Sequence, residues 1–401
     1  MAMQFYFAHW QDVEPDFDLE SEIETLMQTA IDTEDRFEFG LAMKRFIAQL
    51  NNSHTWYNDN WMMTNDRQKR AFRTRAIEHD QWMVTHSFVD DLQAGDVITH
   101  VEGRTCADWF AEVRPYINAS SERIARRAFI NHLLYFIPQV TRYTLDDGRD
   151  VTIDHATSAF TPNKDKMPTG AWIDEGKIAQ IHIPSFNEDR YEEQALAYVE
   201  DFKSAETIIF DMRDCEGGNT PMTLIYALMD RPFKMWSEAT PMVASLFHYR
   251  YQERVWGLPH TKSEEMRGYY DTMEGFFQRP QFMWTAQTNQ PKTPTFTGNI
   301  LMLTGINIGS AGEDFVIPFK SSGRATLIGE NTLGSTGQPY HYRMDNGIWL
   351  AIGTKRAYMP DGSRYEGIGI APDIHLQPTK ADLKAGHDVV MERALEIARK
   401  A

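Results

Sequence analysis

Thr207-Ile208-Ile209-Phe210-Asp211-Met212-Arg213-Asp214-Cys215-Glu216-Gly217-Gly218-Asn219 is a short apolar run that breaks into a charged, glycine-rich turn; the residues from about Pro221 to Met229 then read as a helix. An unbroken apolar run is the pattern of a strand buried on both faces. A strand ending in a glycine-rich turn that opens a helix is the repeating unit of an α/β fold. The flanking chain keeps the rhythm: Ile178-Ala179-Gln180-Ile181-His182-Ile183 is strand-like, 188–203 helix-like, and Ile300-Leu301-Met302-Leu303 leads into Gly309-Ser310-Ala311-Gly312-Glu313-Asp314-Phe315. A serine set among small residues after an apolar run is one half of a nucleophile-and-base arrangement.

The other half lies far upstream. In 19–50, Leu19, Ile23, Leu26, Met27, Ala30 and Ile31, then Phe37, Phe39, Leu41, Met43, Phe46, Ile47 and Leu50, recur at helical spacing. The pattern stops in Asn51-Asn52-Ser53, a turn-forming cluster, which places His54 just past a helix end, in Asn52-Ser53-His54-Thr55. From about residue 82 the style changes. Gly95-Asp96-Val97-Ile98-Thr99-His100-Val101-Glu102-Gly103 alternates like a half-buried strand, and Asp146-Asp147-Gly148 joins Tyr143-Thr144-Leu145 to Val151-Thr152-Ile153 as a hairpin. Residues 107–137 between them look helical, and 156–170, rich in Thr, Pro, Lys and Gly, reads as a linker. Residues 232–296 interrupt the later α/β rhythm with aromatics including Trp236, Tyr249, Trp256, Phe276 and Trp284; they either wall a substrate cleft or form an ordinary packed excursion.

Composition narrows the field. The 401 residues allow two or three domains with real cores, and the net charge of −17, without long acidic runs, speaks against nucleic acid or anionic lipid as the main partner. Cys106 and Cys215 are too few for a disulfide framework and lack metal-ligand spacing, so neither metal nor cofactor is expected. No stretch reaches the roughly 20 apolar residues of a membrane-spanning segment. The start, Met1-Ala2-Met3-Gln4-Phe5-Tyr6-Phe7, lacks the basic and apolar regions of a signal peptide; with a leader removed the compartment would be periplasmic or extracellular, otherwise cytoplasmic.

Motifs that are missing matter as well. G-x-G-x-x-G, the phosphate-loop Gly-Lys-Ser/Thr and H-E-x-x-H do not occur, and Ile308 stands where a G-x-S-x-G elbow would need its first glycine. Ser310 with Glu313 three residues on is also the pattern of a capping box; a nucleophile at a helix N-terminus has backbone N–H groups to hand for an oxyanion, so the two roles are compatible. Cys215 has no basic neighbour to activate it.

Several ordered motifs together resemble the tail-specific, or C-terminal-processing, serine peptidases, and within them the tricorn-like branch. The family pattern Asp-x-Arg-x-Asn-x-Gly-Gly is similar to Asp211 through Gly218, its Ser-Ala-x-Glu to Ser310-Ala311-Gly312-Glu313, and its Gly-Arg-Ala-x-x-x-Gly-Glu to Gly323 through Glu330. The closing pattern resembles Pro360-Asp361-Gly362, Gly367-Ile368-Gly369 and Pro372-Asp373. The Ser-Lys branch carries a lysine where this chain has Ser335, so the resemblance implies a Ser-His site. Ser310 would be the nucleophile, His54 the general base, Ser53 and Glu366 the groups that orient it, and the backbone N–H of Ala311 and of Gly217 or Gly218 the oxyanion donors.

It implies an α/β, ClpP/crotonase-like catalytic core over 170–401, an N-terminal helical segment over 1–75 carrying the histidine, and a PDZ-like β-rich domain over 80–158, where Gly95-Asp96-Val97-Ile98 resembles the PDZ Gly-Asp-x-Ile. The usual carboxylate loop of PDZ domains is not evident there, so the domain serves either peptide ends or as a spacer. The expected partner is a peptide or protein substrate, without nucleic acid, and a homo-oligomer is among the states allowed. Two alternatives stay open: an esterase on the same site, and a non-catalytic carrier of apolar ligands.

Overall fold

The structure, a computed structural model, describes residues 3, 6–65, 67–77, 80–157, 166–241 and 281–400. The aromatics expected between Phe247 and Phe277, and residues 158–165 of the linker, lie outside the described residues.

Helices α1 (Leu19–Asp32) and α2 (Arg36–Ala48) each start on an aspartate cap, Asp18 accepting from Glu20 N–H at 3.0 Å and Asp35 from Phe37 N–H at 2.7 Å. Their packing is unequal. Leu19, Ile23 and Leu26 lean on Phe46, Ile47 and Leu50, whereas Met27 and Ile31, on the expected apolar stripe, are 60% and 74% exposed. That stripe is therefore only half used: α1 packs against α2 on one side, and its outer residues meet no described partner. After α2 the chain turns into β1 (Trp56–Asp59).

A second layer is antiparallel: β2 (Phe72–Ile77), β3 (Gln81–Ser87), β4 (Val97–Val101), β5 (Val140–Leu145) and β6 (Asp150–Asp154), paired in that order. Helices α3 (Cys106–Val113) and α4 (Glu122–Leu133) cover one face. Trp82, Phe110 and Phe129 knit sheet to helices, with Trp82–Phe129 ring centroids 4.4 Å apart and Phe110–Phe129 edge-to-face at 5.4 Å; such pairs add about 0.5–1.5 kcal/mol each beyond their buried area.

The third part carries the opening stretch. Strands β7 (Thr169–Asp174) and β8 (Ile178–His182), helix α5 (Asp189–Asp201), β9 (Thr207–Asp211), α6 (Met222–Leu228), β10 (Asn299–Thr304), α7 (Ala311–Ser322) and β11 (Ala325–Gly329) follow in alternation. Then come β12 (Pro339–Arg343), β13 (Ile348–Gly353), β14 (Ile374–His375) and α8 (Val389–Ala398). Six strands form one sheet in the order β14-β11-β10-β9-β8-β7, parallel except for the antiparallel edge strand β7. Every residue of β9 is buried, as its unbroken apolar run requires of a central parallel strand. Strands β12 and β13 leave this sheet and pair antiparallel with β1 in a separate three-stranded sheet, joining the N-terminal segment to the core. The C-terminal ends of β9 and β10 therefore open side by side, and the loops after them carry Gly217, Gly218 and Ser310. In parallel sheets that is where ligands bind.

Candidate active site

Ser310 stands between the end of β10 and the start of α7 with φ 51° and ψ −126°. A non-glycine residue at positive φ stores strain, which persists only where the surroundings over-determine it. Here they do. The Ser310 N–H donates to Ser335 C=O at 2.8 Å, its C=O accepts from Glu313 and Asp314 N–H, and Gly309 N–H donates to Cys215 C=O at 3.2 Å. The capping box does not form: the Ser310 side chain makes no cap bond. Glu313, fully buried, instead accepts from the Thr332 hydroxyl and from the N–H groups of Gly334 (2.7 Å) and Ser335 (2.9 Å). The Ser310 N–H already has Ser335 C=O as its acceptor, whereas these three donors in a buried loop would be left unpaired without the Glu313 carboxylate. Burial pushes the Glu313 carboxyl up to about 8, against the pull of those donors.

His54 is set by its own turn. Asn52 Oδ1 accepts from the His54 N–H at 3.1 Å and from the Thr55 hydroxyl at 3.0 Å, and Thr55 Oγ1 accepts from Gly353 N–H at 2.9 Å. Its ring lies against Gly337, where a Cβ would stand 3.0 Å from His54 Cβ, closer than nearly all such contacts, so a larger residue would push on the histidine. Nδ1 is 2.7 Å from the Ser335 hydroxyl oxygen. Burial first, then the nearby His9, Lys355 and His341, hold the imidazole down at about 3, which keeps it neutral near pH 7. Among the described residues no hydrogen bond joins His54 directly to Ser310. Ser335 comes between them, holding Ser310 by its carbonyl and His54 by its hydroxyl.

Glu366 is buried, 2% exposed, and among the described residues makes no hydrogen bond to His54. Its Oε1 accepts from the Ser120 hydroxyl at 2.8 Å and its Oε2 from Thr336 N–H at 3.3 Å. Ser120 in turn exchanges backbone-to-side-chain bonds of 3.0 Å with Ser53. The bridge expected at Ser53 thus runs through Ser120 to the backbone beside the histidine, and among the described residues no hydrogen bond joins Ser53 to the ring. Ser120 gave no signal in the sequence. Ser335 did, as the serine in place of the Ser-Lys lysine.

The glycine turn folds against the Ser310 loop. A Cβ on Gly217 (φ 107°) would meet Gly309 O and Ser310 Cβ at 2.7 Å, and one on Gly218 (φ 135°) would strike Phe186. The Gly217 N–H faces the Cys215 sulfur and lowers that thiol, although burial leaves it up at about 12 and unreactive. Gly218 and Ala311 N–H make no hydrogen bond among the described residues. Around the turn, Arg213 is forked to Asp211 and reaches Asp388 at 2.8 Å, while Arg73 pairs with Asp214 at 3.3 Å. Among the described residues no cluster of His, Cys, Asp or Glu could hold a metal, and no helix is long and apolar enough to cross a membrane.

A buried serine loop and a neutral histidine on a mixed α/β scaffold define a hydrolase of the serine type. Residues 177–376 match the model of Peptidase family S41, and the chain belongs to that family of serine peptidases, as the motifs from Asp211 to Asp373 led one to expect. Among solved structures, mature CPAF complexed with lactacystin is similar at a TM-score of 0.70 and 15% identity, covering 100% of this chain and 97% of that one. Mature CPAF alone gives 0.69 at 16%, covering 96% and 92%. A candidate peptidase from Parabacteroides merdae ATCC 43184 gives 0.52 at 13%, covering 99% and 93%. At these identities the likeness is one of fold.

Proposed function

We propose that the protein hydrolyses peptide bonds through an acyl-enzyme on Ser310, with His54 as general base. The observation that carries this reading is the strained Ser310 at the mouth of α7, tied through Ser335 to a neutral, half-buried His54. Nδ1–H of His54 donates to Ser335 Oγ, which leaves the Nε2 lone pair to take the Ser310 proton as Oγ bonds to the scissile carbonyl carbon. The oxyanion that forms is received by the Ala311 and Gly218 N–H groups, the first aided by the helix N-terminus. The C–N bond then breaks as His54 returns its proton to the leaving amine, and water repeats the sequence on the ester. Glu366 steadies the histidine-bearing turn from behind, through Ser120 and Ser53. A missing Ser310–His54 hydrogen bond before substrate arrives is common in such sites.

The same reading gives the parts their roles: a ClpP/crotonase-like core over 170–401, a PDZ-like unit over 80–158 to which β2 adds a strand, and an N-terminal segment over 1–75 that brings the base. A fluorophosphonate probe tests the reading. It should label Ser310, as located by peptide mapping, and lose that label in Ser310→Ala. Paired peptide and p-nitrophenyl ester substrates then separate peptidase from esterase. Labelling elsewhere, or none in an active preparation, would remove Ser310 from the mechanism.

A further inference from the structure

The sheet β1-β13-β12 starts at the site itself. Trp56 opens β1 two residues after His54, and Pro339 opens β12 two residues after Gly337, which lies against the His54 ring. With β13 between them, β12 keeps one outer edge. At the hairpin end Met344 N–H donates to Ile348 C=O at 2.9 Å. By antiparallel alternation the bonded pairs are then Tyr342 with Leu350 and Tyr340 with Ile352, so the main-chain groups of His341 and Arg343 point away from the sheet. Both residues are exposed, and no described residue bonds to those outward groups.

The sheet's two faces differ. Tyr57, Ile348 and Ile352 on one side enter the N-terminal core. The other side holds a cluster of rings: Trp56 edge-to-face with Trp349 at 4.8 Å, His341 5.8 Å from Trp56, and the Arg343 guanidinium 4.2 Å over Trp349. Proline at the start of β12 and a charge at its end discourage the strand from pairing with another sheet. A single extended segment is the occupant that fits. Since Ser335 C=O touches Ser310 N–H, six residues of roughly 3.3 Å each place His341 about 20 Å along the chain from the nucleophile.

We propose that the outer edge of β12 is a docking strand for the substrate polypeptide. An extended segment about six residues from the scissile bond pairs with the main chain at His341 and Arg343 and lays an apolar side chain on the Trp349–Trp56 face. This rests on the Ser310 reading of the site and adds a length requirement to it: substrates too short to reach β12 forgo its hydrogen bonds, whereas longer ones gain binding energy remote from the chemistry.

The test compares kcat/KM for a fluorogenic peptide with two residues on each side of the cleaved bond and for the same peptide extended by seven, Phe-containing residues on either side. One extension should raise kcat/KM about tenfold, as two added hydrogen bonds would. N-methylation of that extension's backbone should cancel the gain, as should Arg343→Pro, which removes an outward N–H and spares the bonds to β13. Arg343→Ala, which keeps the N–H, should retain most of it, and Trp349→Ala should erase the advantage of Phe over Ala in the extension. No gain in the native enzyme, or a gain untouched by N-methylation, overturns the proposal. Fluorophosphonate labelling separates the two failures: a labelled Ser310 without a length effect refutes the docking strand alone, and an unlabelled Ser310 refutes the site.

Discussion

Ser335→Ala is the sharpest perturbation of the proposed mechanism, because one side chain is asked to fix one atom. The Ser335 hydroxyl is fully buried and 2.7 Å from His54 Nδ1. As the acceptor of Nδ1–H it selects the tautomer whose Nε2 can act as base. Alanine leaves Nδ1 unmatched in a buried site, which costs about 1–3 kcal/mol, where the neutral bond itself contributed a net 0.5–1.5 kcal/mol or so. A carboxylate in the same role in a serine triad is worth about 10⁴ in kcat. An uncharged hydroxyl cannot stabilise the imidazolium as strongly, so the loss should be roughly 10- to 100-fold in kcat, with KM nearly unchanged because Ser335 faces the histidine and not the substrate. The variant should also bring a mixture of imidazole tautomers, visible in nitrogen-15 histidine spectra. Steady-state kinetics across pH, run beside those spectra, decide the matter. An unchanged kcat together with an unchanged tautomer would show that Ser335 merely packs against the ring.

Four further outcomes are expected. Ser310→Ala should cut kcat by roughly 10⁴–10⁶, with little change in melting temperature because alanine keeps the Cβ from which the strain at φ 51° arises; full activity in the peptide assay would contradict the assignment. Glu366→Gln should lower kcat less than Ser310→Ala does and leave KM alone, since it acts through Ser120 and Ser53; kinetics identical to the native enzyme would reduce Glu366 to a packing residue. Glu313→Ala strands the Gly334 and Ser335 N–H groups and should cost about 3 kcal/mol or more, measured by denaturant unfolding. Finally, His54 is held at about 3, below its unfolded value of roughly 6.5. The neutral base is thus retained as pH falls, and the acid limb of kcat/KM should lie well below pH 6.5. By linkage the histidine's share of stability is present above about 6.5 and is lost as pH drops toward the folded value. An acid limb at 6.5 would mean that the ring is solvated.

Much of the scaffold was legible because it is written locally. The unbroken Thr207–Phe210 run became the buried central strand, the Asn51–Ser53 turn did place His54 past the end of α2, and Asp146-Asp147-Gly148 did close a hairpin between β5 and β6. The site was legible only where a motif names its own residue. The Ser310–Glu313 pattern satisfies a local capping rule, yet Glu313 turns away because the loop 332–335, which no spacing in the sequence connects to it, offers three buried donors. Ser120 was silent for the same reason, and Ser335, visible as the serine in place of a lysine, gave no hint of its partners. Each matters through a partner more than 60 residues away, fixed by the docking of whole layers. The half-exposed stripe on α1 is the converse, a helical period correctly seen whose expected partner surface is too small to cover it.

The loop from Thr332 to Ser335 is held from three directions, and this explains how the site sustains its strain. Glu313 grips its N–H groups from α7. Arg123, on α4 of the second layer, donates to the carbonyls of Thr332 (2.6 Å) and Leu333 (2.7 Å), and the Glu366 loop closes over it where Gly367 N–H meets Gly334 C=O at 2.6 Å. Every donor and acceptor of this short segment that faces inward is used. Ser335 therefore has little freedom to move, and neither the Ser310 backbone nor the His54 ring can relax without dragging it along. A serine held at positive φ then costs the fold only what these bonds return, and the second layer, through Arg123, becomes part of the frame that holds Ser335 and the His54 ring.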